Sequence, residues 1–250
     1  MAKKDITVGI VTNTSQSVGG VEQVNRMMMS MLSANGISSI VISQEMLDSN
    51  LFLDKIWQRL IGRHRLVGHY FNSQFSNKVD VAICNGEYAY NVQHDHAVMI
   101  FHGCYYGYAN ALRTYLSTRV YKGMMRLARD QMIGATNKYV VAVSRELARI
   151  LGEQGIKVDK IINNTVDTDL FCPSSQHEKL HKCLFVGSYD YYGKGFDILG
   201  QIVDSGIAVD CISKDRPAHM KLGWLPSIQN EELFAYYSKY KFLLLSSNKP

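Results

Sequence analysis

Short runs of β-branched and aliphatic residues alternate with longer amphipathic stretches along the whole chain. The short runs predict buried strands and the longer stretches predict helices, because side chains repeat about every 2 residues in a strand and about every 3.6 in a helix. Strands that alternate with helices are typical of βαβ units and a mostly parallel sheet. The first series of such units predicts strands at 6–12, 39–43, 79–84, 97–101 and 138–143.

Three helices stand out in this first series. One spans residues 105–134 with a break near Gly123, and another begins at Ser144. The earliest follows Gly20 and is rich in methionine, a residue that commonly fills irregular gaps in a core. We therefore expect its methionines to be core residues: Met27, Met28, Met29 and Met31.

A second series of strands and helices follows a polar, turn-rich segment at 163–182. We therefore predict a first domain of residues 1–168 and a second of residues 169–250. The second ends soon after the apolar run FLLLS, and no helix follows to cover that strand, so we expect this domain to be incomplete. Its predicted strands lie at 183–187, 207–213, 220–225 and 242–246, and its helices at 194–204 and 230–239.

The composition is that of an ordinary globular protein. Of the 250 residues, 46% are hydrophobic and 20% are charged, which excludes a disordered, collagen-like or coiled-coil chain. No apolar run approaches the roughly 18 residues of a membrane-spanning helix, and MAKKD lacks the apolar segment of a signal peptide. A cytoplasmic location is expected, with five reduced cysteines that form no CxxC pair.

Basic residues recur in two places. Arg119, Lys122, Arg126 and Arg129 fall within about 80° of one another on a helix, and the segment 51–65 mixes apolar with basic residues. A solvated surface would explain both features. The alternative is peripheral contact with anionic lipid at the inner face of the membrane, or with an anionic acceptor. The net charge of +5 permits such partners, but no nucleic-acid-binding motif is present, so we expect no nucleic acid.

Two features of the first series could bind a ligand. Gly19 and Gly20 follow the first strand and could admit an anion at a helix N-terminus, or could simply form a tight turn. Neither GxGxxG nor GxxxxGK[ST] occurs in the chain. His102 directly follows the strand at 97–101, at the end where parallel sheets bind ligands. There it could donate a hydrogen bond to a hydroxyl or an oxyanion, or serve only the structure.

The second series carries a comparable feature. Gly187 ends a strand, and Lys194 and Gly195 stand at the start of the next helix. A lysine beside a helix N-terminus could bind a diphosphate, although a lone lysine is often only solvated. Between the two series, the Asn and Asp residues of 163–171 could bind a ligand or only build turns.

These features, in this order, resemble the retaining glycosyltransferases of family 4, which have the GT-B fold of two Rossmann-like domains. The resemblance extends over nearly the whole chain. The segments that carry it are GGVE at 19–22, HG at 102–103, VS at 143–144, NTVDTDLF at 164–171, VG at 186–187, KGFD at 194–197, LGWLP at 222–226, EEL at 231–233 and SS at 246–247.

The resemblance implies transfer of a sugar, with retention, from a nucleotide-sugar donor to a glycan or lipid-linked acceptor, as in polysaccharide biosynthesis. No metal or other cofactor is implied. Lys194 would contact the donor diphosphate and His102 the donor sugar, as catalytic residues. The implied donor-binding residues are Gly19, Gly20, Gly187, Ser188, Lys194, Gly195, Gly223 and Leu225. With the first domain as acceptor domain, the residues on the acceptor or membrane side are Trp57, Arg59, Arg119, Lys122 and Arg126.

The sequence departs from the family pattern in two places. Ser188 stands where the family usually has an arginine that contacts the diphosphate, and the family's Glu-x7-Glu motif does not occur before Pro250. We therefore expect this chain to be poorly active. The alternatives are a non-catalytic nucleotide-sugar-binding or accessory subunit, and a nucleotide-sugar epimerase of the same fold.

Overall fold

The computed structural model describes residues 6–14, 19–50, 61–172, 179–187, 192–217 and 221–247. The chain divides into two compact units. The first comprises Met1–Gly107 and Thr118–Thr165, and the second comprises Tyr108–Ser117 and Val166–Pro250. Within the described part of the chain, we find no helix with the length and apolar character that crossing a bilayer requires.

The first unit is built on a six-stranded parallel sheet with the order β2-β1-β3-β4-β5-β6. Five of these strands were predicted, and each is found within two residues of its predicted ends. Their β-branched runs are buried between helices, as parallel strands require. The strands are β1 (Thr7–Val11), β2 (Ser38–Ile42), β3 (Val81–Asn85), β4 (Ala97–Phe101), β5 (Tyr139–Ala142) and β6 (Lys160–Ile161).

Helices connect these strands, and a 3₁₀ turn (Gly86–Ala89) follows β3. Ser144 begins a helix as predicted, since its hydroxyl accepts a hydrogen bond from Leu147 N at 3.1 Å. The helices are α1 (Gly20–Ala34), α2 (Gln44–Asn50), α3 (Arg63–Gln74), α4 (Tyr105–Ala111), α5 (Thr118–Ala135) and α6 (Arg145–Glu153).

Two helix predictions were wrong. The expected break at Gly123 lies instead at residues 112–117, and α5 runs through Gly123 without interruption. An exposed glycine costs a helix only about 1 kcal/mol relative to alanine, so one glycine does not end it. The methionines of α1 are not core residues either. Met31 is 61% exposed, and the buried residue of this helix is Asn25.

A buried ion pair joins α3 to α5. Asp130 is fully buried and accepts two hydrogen bonds from Arg65, at 3.0 Å from Nε and 2.7 Å from Nη2. His64 donates a third from Nε2 at 2.7 Å, and the Arg65 guanidinium lies 4.7 Å from the ring centre of Tyr90. Arg65 belongs to the segment proposed for membrane contact, yet it turns toward this carboxylate because a buried charge needs compensation.

The second unit is built on a four-stranded parallel sheet with the order β10-β7-β8-β9. Phe185 of the sheet packs edge-on against Phe196 of the covering helix, with ring centres 4.9 Å apart. The elements are β7 (Leu180–Val186), α7 (Phe196–Asp204), β8 (Val209–Ile212), β9 (Gly223–Leu225), α8 (Leu233–Lys239) and β10 (Tyr240–Leu243), with 3₁₀ turns at Tyr192–Lys194 and Asn230–Glu232.

The predicted strands of the second unit are present with shifted ends. The last strand was expected at 242–246, but β10 begins at Tyr240 and ends at Leu243. Its apolar residues do lack cover in the described structure, since Phe242 and Leu243 are more than half exposed. In the segment before this sheet, Asp167 builds a turn by accepting hydrogen bonds from Asp169 N and Leu170 N, at 3.0 and 3.1 Å.

The strand order reverses once in each sheet. In the first unit the chain passes from β1 to β2 on one side and resumes at β3 on the other. In the second unit it passes from β7 through β8 to β9, and β10 then returns to the far side of β7. Open α/β sheets bind ligands outside the carboxyl ends of the strands at such reversals. Functional residues are therefore expected after β1 and β3 in the first sheet, and after β7 and β10 in the second.

Two glycines inside helices give a test of this packing. A methyl group at Gly123 has no heavy atom within 4 Å, whereas one at Gly68 of α3 collides with the carbonyl oxygen of Tyr90. Gly123→Ala is expected to raise the free energy of unfolding by about 0.5–1 kcal/mol, through helix propensity alone. Gly68→Ala is expected to lower it by about 1–3 kcal/mol, because the collision with backbone outweighs that gain. Urea unfolding of both variants measures the two values, and equal effects would contradict the packing of α3.

Candidate functional site

A chain of hydrogen bonds crosses the carboxyl edge of the first sheet at its reversal. Asn25 Nδ2 donates to Thr12 Oγ1 at 3.1 Å, and Asn85 Nδ2 donates to Asn25 Oδ1 at 2.9 Å. His102 Nε2 lies 3.1 Å from Asn85 Oδ1 and donates to it. Thr12, Asn85 and His102 belong to the ends of β1, β3 and β4, which are neighbours in the sheet. We call these four residues the histidine relay.

His102 has one ring nitrogen without a partner. Its Nδ1 is buried and forms no hydrogen bond with any residue that the structure describes. Burial lowers the pKa of His102 below 6.5, although the charge of Glu22 opposes the change, so the ring is neutral near pH 7. Because Nε2 carries the proton, Nδ1 is a hydrogen-bond acceptor. In this tautomer Nδ1 can accept a hydrogen bond from a ligand, whereas the expectation that His102 donates to a hydroxyl or an oxyanion stays a prediction.

Gly19 and Gly20 form the start of α1, the helix that carries Asn25 of the histidine relay. Gly19 is the extended N-cap residue and has no side chain with which to cap the helix. The carboxylate of Glu22 folds back over Gly19, whereas the position of a side chain on Gly20 is open space. A carboxylate at a helix N-terminus offsets the positive potential there. This helix start is consequently less suited to a phosphate than to an uncharged, hydroxyl-bearing group.

The second unit carries a lysine at the reversal of its own sheet. Gly195 begins α7 in the left-handed conformation at φ +67°, and any side chain there would collide with the backbone carbonyl of Ser246. Ser246 Oγ donates to the carbonyl oxygen of Lys194 at 2.7 Å, which ties the turn to the segment after β10. We call Gly187, Lys194, Gly195 and Ser246 the lysine turn.

The side chain of Lys194 lies over the carboxyl end of β7. Its Cδ would stand 3.8 Å from a methyl group on Gly187, and the ring of Phe185 leaves no room for such a group. No carboxylate of the described residues pairs with the ammonium group of Lys194, which is only half-buried. A lysine ammonium beside the start of α7, whose N-cap residue Gly195 has no side chain, makes a physically suitable site for an anion.

The other predicted donor-binding residues of this unit have different surroundings. Leu225 ends β9 at the carboxyl edge and packs against the apolar cluster around Ile212. Gly223 instead begins β9, where its lack of a side chain makes room for the carboxylate of Asp210. Asp210 accepts a hydrogen bond from the hydroxyl of Tyr240 at 2.7 Å. The structure thus gives Gly223 a packing role in the sheet.

Three of the residues predicted on the acceptor or membrane side lie on α5. Arg119, Lys122 and Arg126 are all exposed along this helix, and Arg129 shares that face. Val120, Met132 and Ile133 of the same helix are each more than 40% exposed. The exposed surface of α5 is therefore both basic and apolar.

Three of the predicted site residues lie outside the described residues: Trp57, Arg59 and Ser188.

Sequence reasoning missed the polar partners that hold these groups. Thr12, Asn25 and Asn85 orient His102, and Ser246 holds the turn at Lys194. One signal was available, because Asn25 is a polar residue among the methionines of α1 and Asn85 directly ends a buried strand. Among the residues that the structure describes, no three His, Cys, Asp or Glu side chains lie together as a metal site would need.

No protein-family model and no curated protein matches this sequence. Solved structures do share its fold. Sucrose-phosphate synthase from Thermosynechococcus elongatus superposes with a TM-score of 0.69 and 10% sequence identity, over 97% of this chain and 75% of that one. Two other solved structures have TM-scores below 0.5, which is too low to define a shared fold. The DNA-modifying enzyme β-glucosyltransferase has a TM-score of 0.49 with 11% identity over 96% of this chain and 70% of that one. UDP-N-acetylglucosamine 2-epimerase from Rickettsia bellii has a TM-score of 0.48 with 10% identity over 92% and 71%.

The fold class is confirmed by these observations. The chain consists of two Rossmann-like parallel-sheet units of the GT-B type, with six strands described in the first and four in the second. The likeness to sucrose-phosphate synthase, at 10% identity, extends to the fold alone. The division of the chain into an acceptor domain of residues 1–168 and a donor domain of residues 169–250 stays a prediction.

The lowered pKa of His102 predicts how stability depends on pH. A histidine whose folded pKa lies below its unfolded value of 6.5 favours unfolding when protons are added. The wild type should therefore lose stability as the pH falls from 7 through 6.5 toward the folded pKa. His102→Gln cannot take up that proton and should lose less over the same range. Urea unfolding at pH 7 and pH 5 measures the two losses. His69→Gln, at an exposed position of α3, is the matched control and should behave as the wild type; equal losses in all three proteins would contradict the burial of His102.

Proposed function

We propose that this chain is a nucleotide-sugar-dependent glycosyltransferase that acts with retention of configuration. Lys194 binds the donor diphosphate, and His102 contacts the donor sugar. The observation that carries the proposal is the ammonium group of Lys194, which pairs with no carboxylate of the described residues, at the start of α7 beside the strand reversal of the second sheet. That reversal is where open α/β sheets bind nucleotides. The likeness of the fold to sucrose-phosphate synthase agrees with this assignment.

The chemistry of transfer explains why a lysine is needed there. When the bond between the sugar and the diphosphate breaks, negative charge develops on the leaving nucleoside diphosphate. A fixed ammonium group and the N–H groups at a helix start stabilise that charge more strongly as it grows, which lowers the barrier. Gly187 and Gly195 allow the turn itself, because the ring of Phe185 and the carbonyl group of Ser246 fill the space that their side chains would need. Ser188 and Leu225 would complete the donor site.

The first unit would supply contacts to the sugar. His102 is neutral near pH 7, and the start of α1 carries the Glu22 carboxylate, so this region favours an uncharged sugar over a phosphate. Gly20 leaves its backbone open to a ligand, and Gly19 adds no side chain of its own.

Replacing Lys194 tests the donor site. We expect Lys194→Ala to weaken binding of the preferred nucleotide sugar by about tenfold to a hundredfold, because a charge-assisted contact is lost. Isothermal titration calorimetry with UDP-glucose, GDP-mannose and ADP-glucose measures the affinities and identifies the base. Lys179→Ala is the matched control, since it removes the same charge just before β7, at the opposite end of that strand.

Three outcomes of that titration are informative. Selective binding that only Lys194→Ala weakens supports the proposal. Equal weakening in both variants would mean that net charge, and not the lysine turn, attracts the nucleotide. If no nucleotide sugar binds, the proposal fails for this chain.

An activity assay separates the remaining alternatives. Binding without transfer to any acceptor would favour the accessory subunit. A released product with an inverted anomeric carbon would contradict retention.

We further propose that the exposed face of α5 faces an anionic membrane that carries a lipid-linked acceptor. Arg119→Glu with Lys122→Glu is expected to weaken binding to vesicles that contain phosphatidylserine by about tenfold or more, at about 1 kcal/mol for each basic residue. Sedimentation with such vesicles, and with neutral phosphatidylcholine vesicles, measures the effect. Lys157→Glu with Lys160→Glu makes the same charge change at other exposed positions of the first unit. If both pairs weaken binding equally, or neither does, α5 is not the membrane side.

A further inference from the structure

Two side-chain amide groups are buried at the carboxyl edge of the first sheet. Asn25 and Asn85 are each only 4% exposed, and Thr12 is fully buried. Burying two amides is unfavourable unless their hydrogen bonds are satisfied. They satisfy one another in a row that starts at Thr12 and ends at Nε2 of His102. The last member of the row is thereby the only one that keeps a free polar atom in the described structure.

The direction of the row determines which ring nitrogen is protonated. Each amide donates with its nitrogen toward Thr12 and accepts with its oxygen from the next residue, so Asn85 offers His102 an oxygen. An oxygen accepts a hydrogen bond, and therefore Nε2 must carry the proton. Reversing both amides would move the proton to Nδ1 and would bury an N–H group without an acceptor. Such unpaired buried donors are rarer in proteins than unpaired acceptors.

We propose that Asn85, itself held by Asn25 and Thr12, is a positioning residue that fixes His102 with its proton on Nε2 and so presents Nδ1 as the acceptor for a hydroxyl group of the donor sugar. The assignment of the hydroxyl to a donor sugar rests on the proposed function. The positioning of His102 does not, because it follows from the contacts within the first unit.

This arrangement makes His102 selective for the sugar part of a donor. A neutral acceptor nitrogen binds a hydroxyl, which has a proton to donate, and repels the lone pairs of a phosphate oxygen. The side chain of His102 as a whole is only half-buried, so a small movement of the ring brings Nδ1 within reach of a ligand. A nucleoside diphosphate without its sugar would offer no sugar hydroxyl to Nδ1, which has no partner among the described residues.

Nitrogen-15 NMR of histidine-labelled full chain tests the positioning directly, since the two ring nitrogens differ in chemical shift when one is protonated. We expect the wild type to carry the proton on Nε2. Asn85→Ala removes the acceptor and should give a mixture of both tautomers. Asn85→Asp keeps the shape and should raise the pKa of His102 above its wild-type value, because a carboxylate stabilises the imidazolium ion. Asn35→Ala, at the other end of α1, is the matched control and should leave the tautomer and the pKa unchanged.

Calorimetry then tests the sugar contact. For the nucleotide sugar that the wild type binds, Asn85→Ala should weaken the affinity by about threefold to tenfold, the value of one hydrogen bond. The affinity for the matching nucleoside diphosphate should not change. The proposal is overturned if the wild type carries the proton on Nδ1, if Asn85→Ala leaves the tautomer as Asn35→Ala does, or if both affinities fall equally. A chain with the Nε2 tautomer that binds no nucleotide sugar would contradict the proposed function and leave the positioning of His102 standing.

Discussion

Each of the two parallel sheets must reverse its strand order once, and that constraint determines where the chemistry of this protein can lie. At a reversal the connections leave the sheet in opposite directions, so the carboxyl ends of the two central strands stay uncovered. In the first sheet this happens between β1 and β3, and in the second between β7 and β10. The histidine relay and the lysine turn occupy these two positions. Elsewhere in the first unit, the buried Asp130 pair joins α3 to α5.

The two positions differ in electrostatic character. The histidine relay ends in a neutral acceptor nitrogen beside a helix start that already holds the Glu22 carboxylate. The lysine turn presents an ammonium group beside a helix start without a capping side chain. An uncharged polyhydroxyl group suits the first position, and a diphosphate suits the second. These two preferences, each read within its own unit, underlie the function proposed for the chain.

The sequence alone predicted the strands well because β-branched runs at 6–12 or 97–101 have few alternatives to a buried strand. The position of His102 and of Lys194 followed, since both directly succeed predicted strands or turns. The relay could not be predicted, because Thr12, Asn25, Asn85 and His102 are separated by 13, 60 and 17 residues and meet only when the strands pair. The break expected at Gly123 did not occur because one exposed glycine costs a helix only about 1 kcal/mol. The burial expected for Met31 failed because packing against neighbours, and not local composition, decides which face of α1 is buried.

The most direct test of this account follows the imidazole of His102 while a ligand is added. In histidine-labelled wild-type chain, a nucleotide sugar that binds should move the nitrogen-15 resonance of Nδ1, because a sugar hydroxyl now donates to it. The matching nucleoside diphosphate should bind at the lysine turn and leave that resonance in place. If no nucleotide sugar moves the Nδ1 resonance, or if the diphosphate alone moves it equally, then His102 does not contact the sugar of a donor and the central claim is wrong.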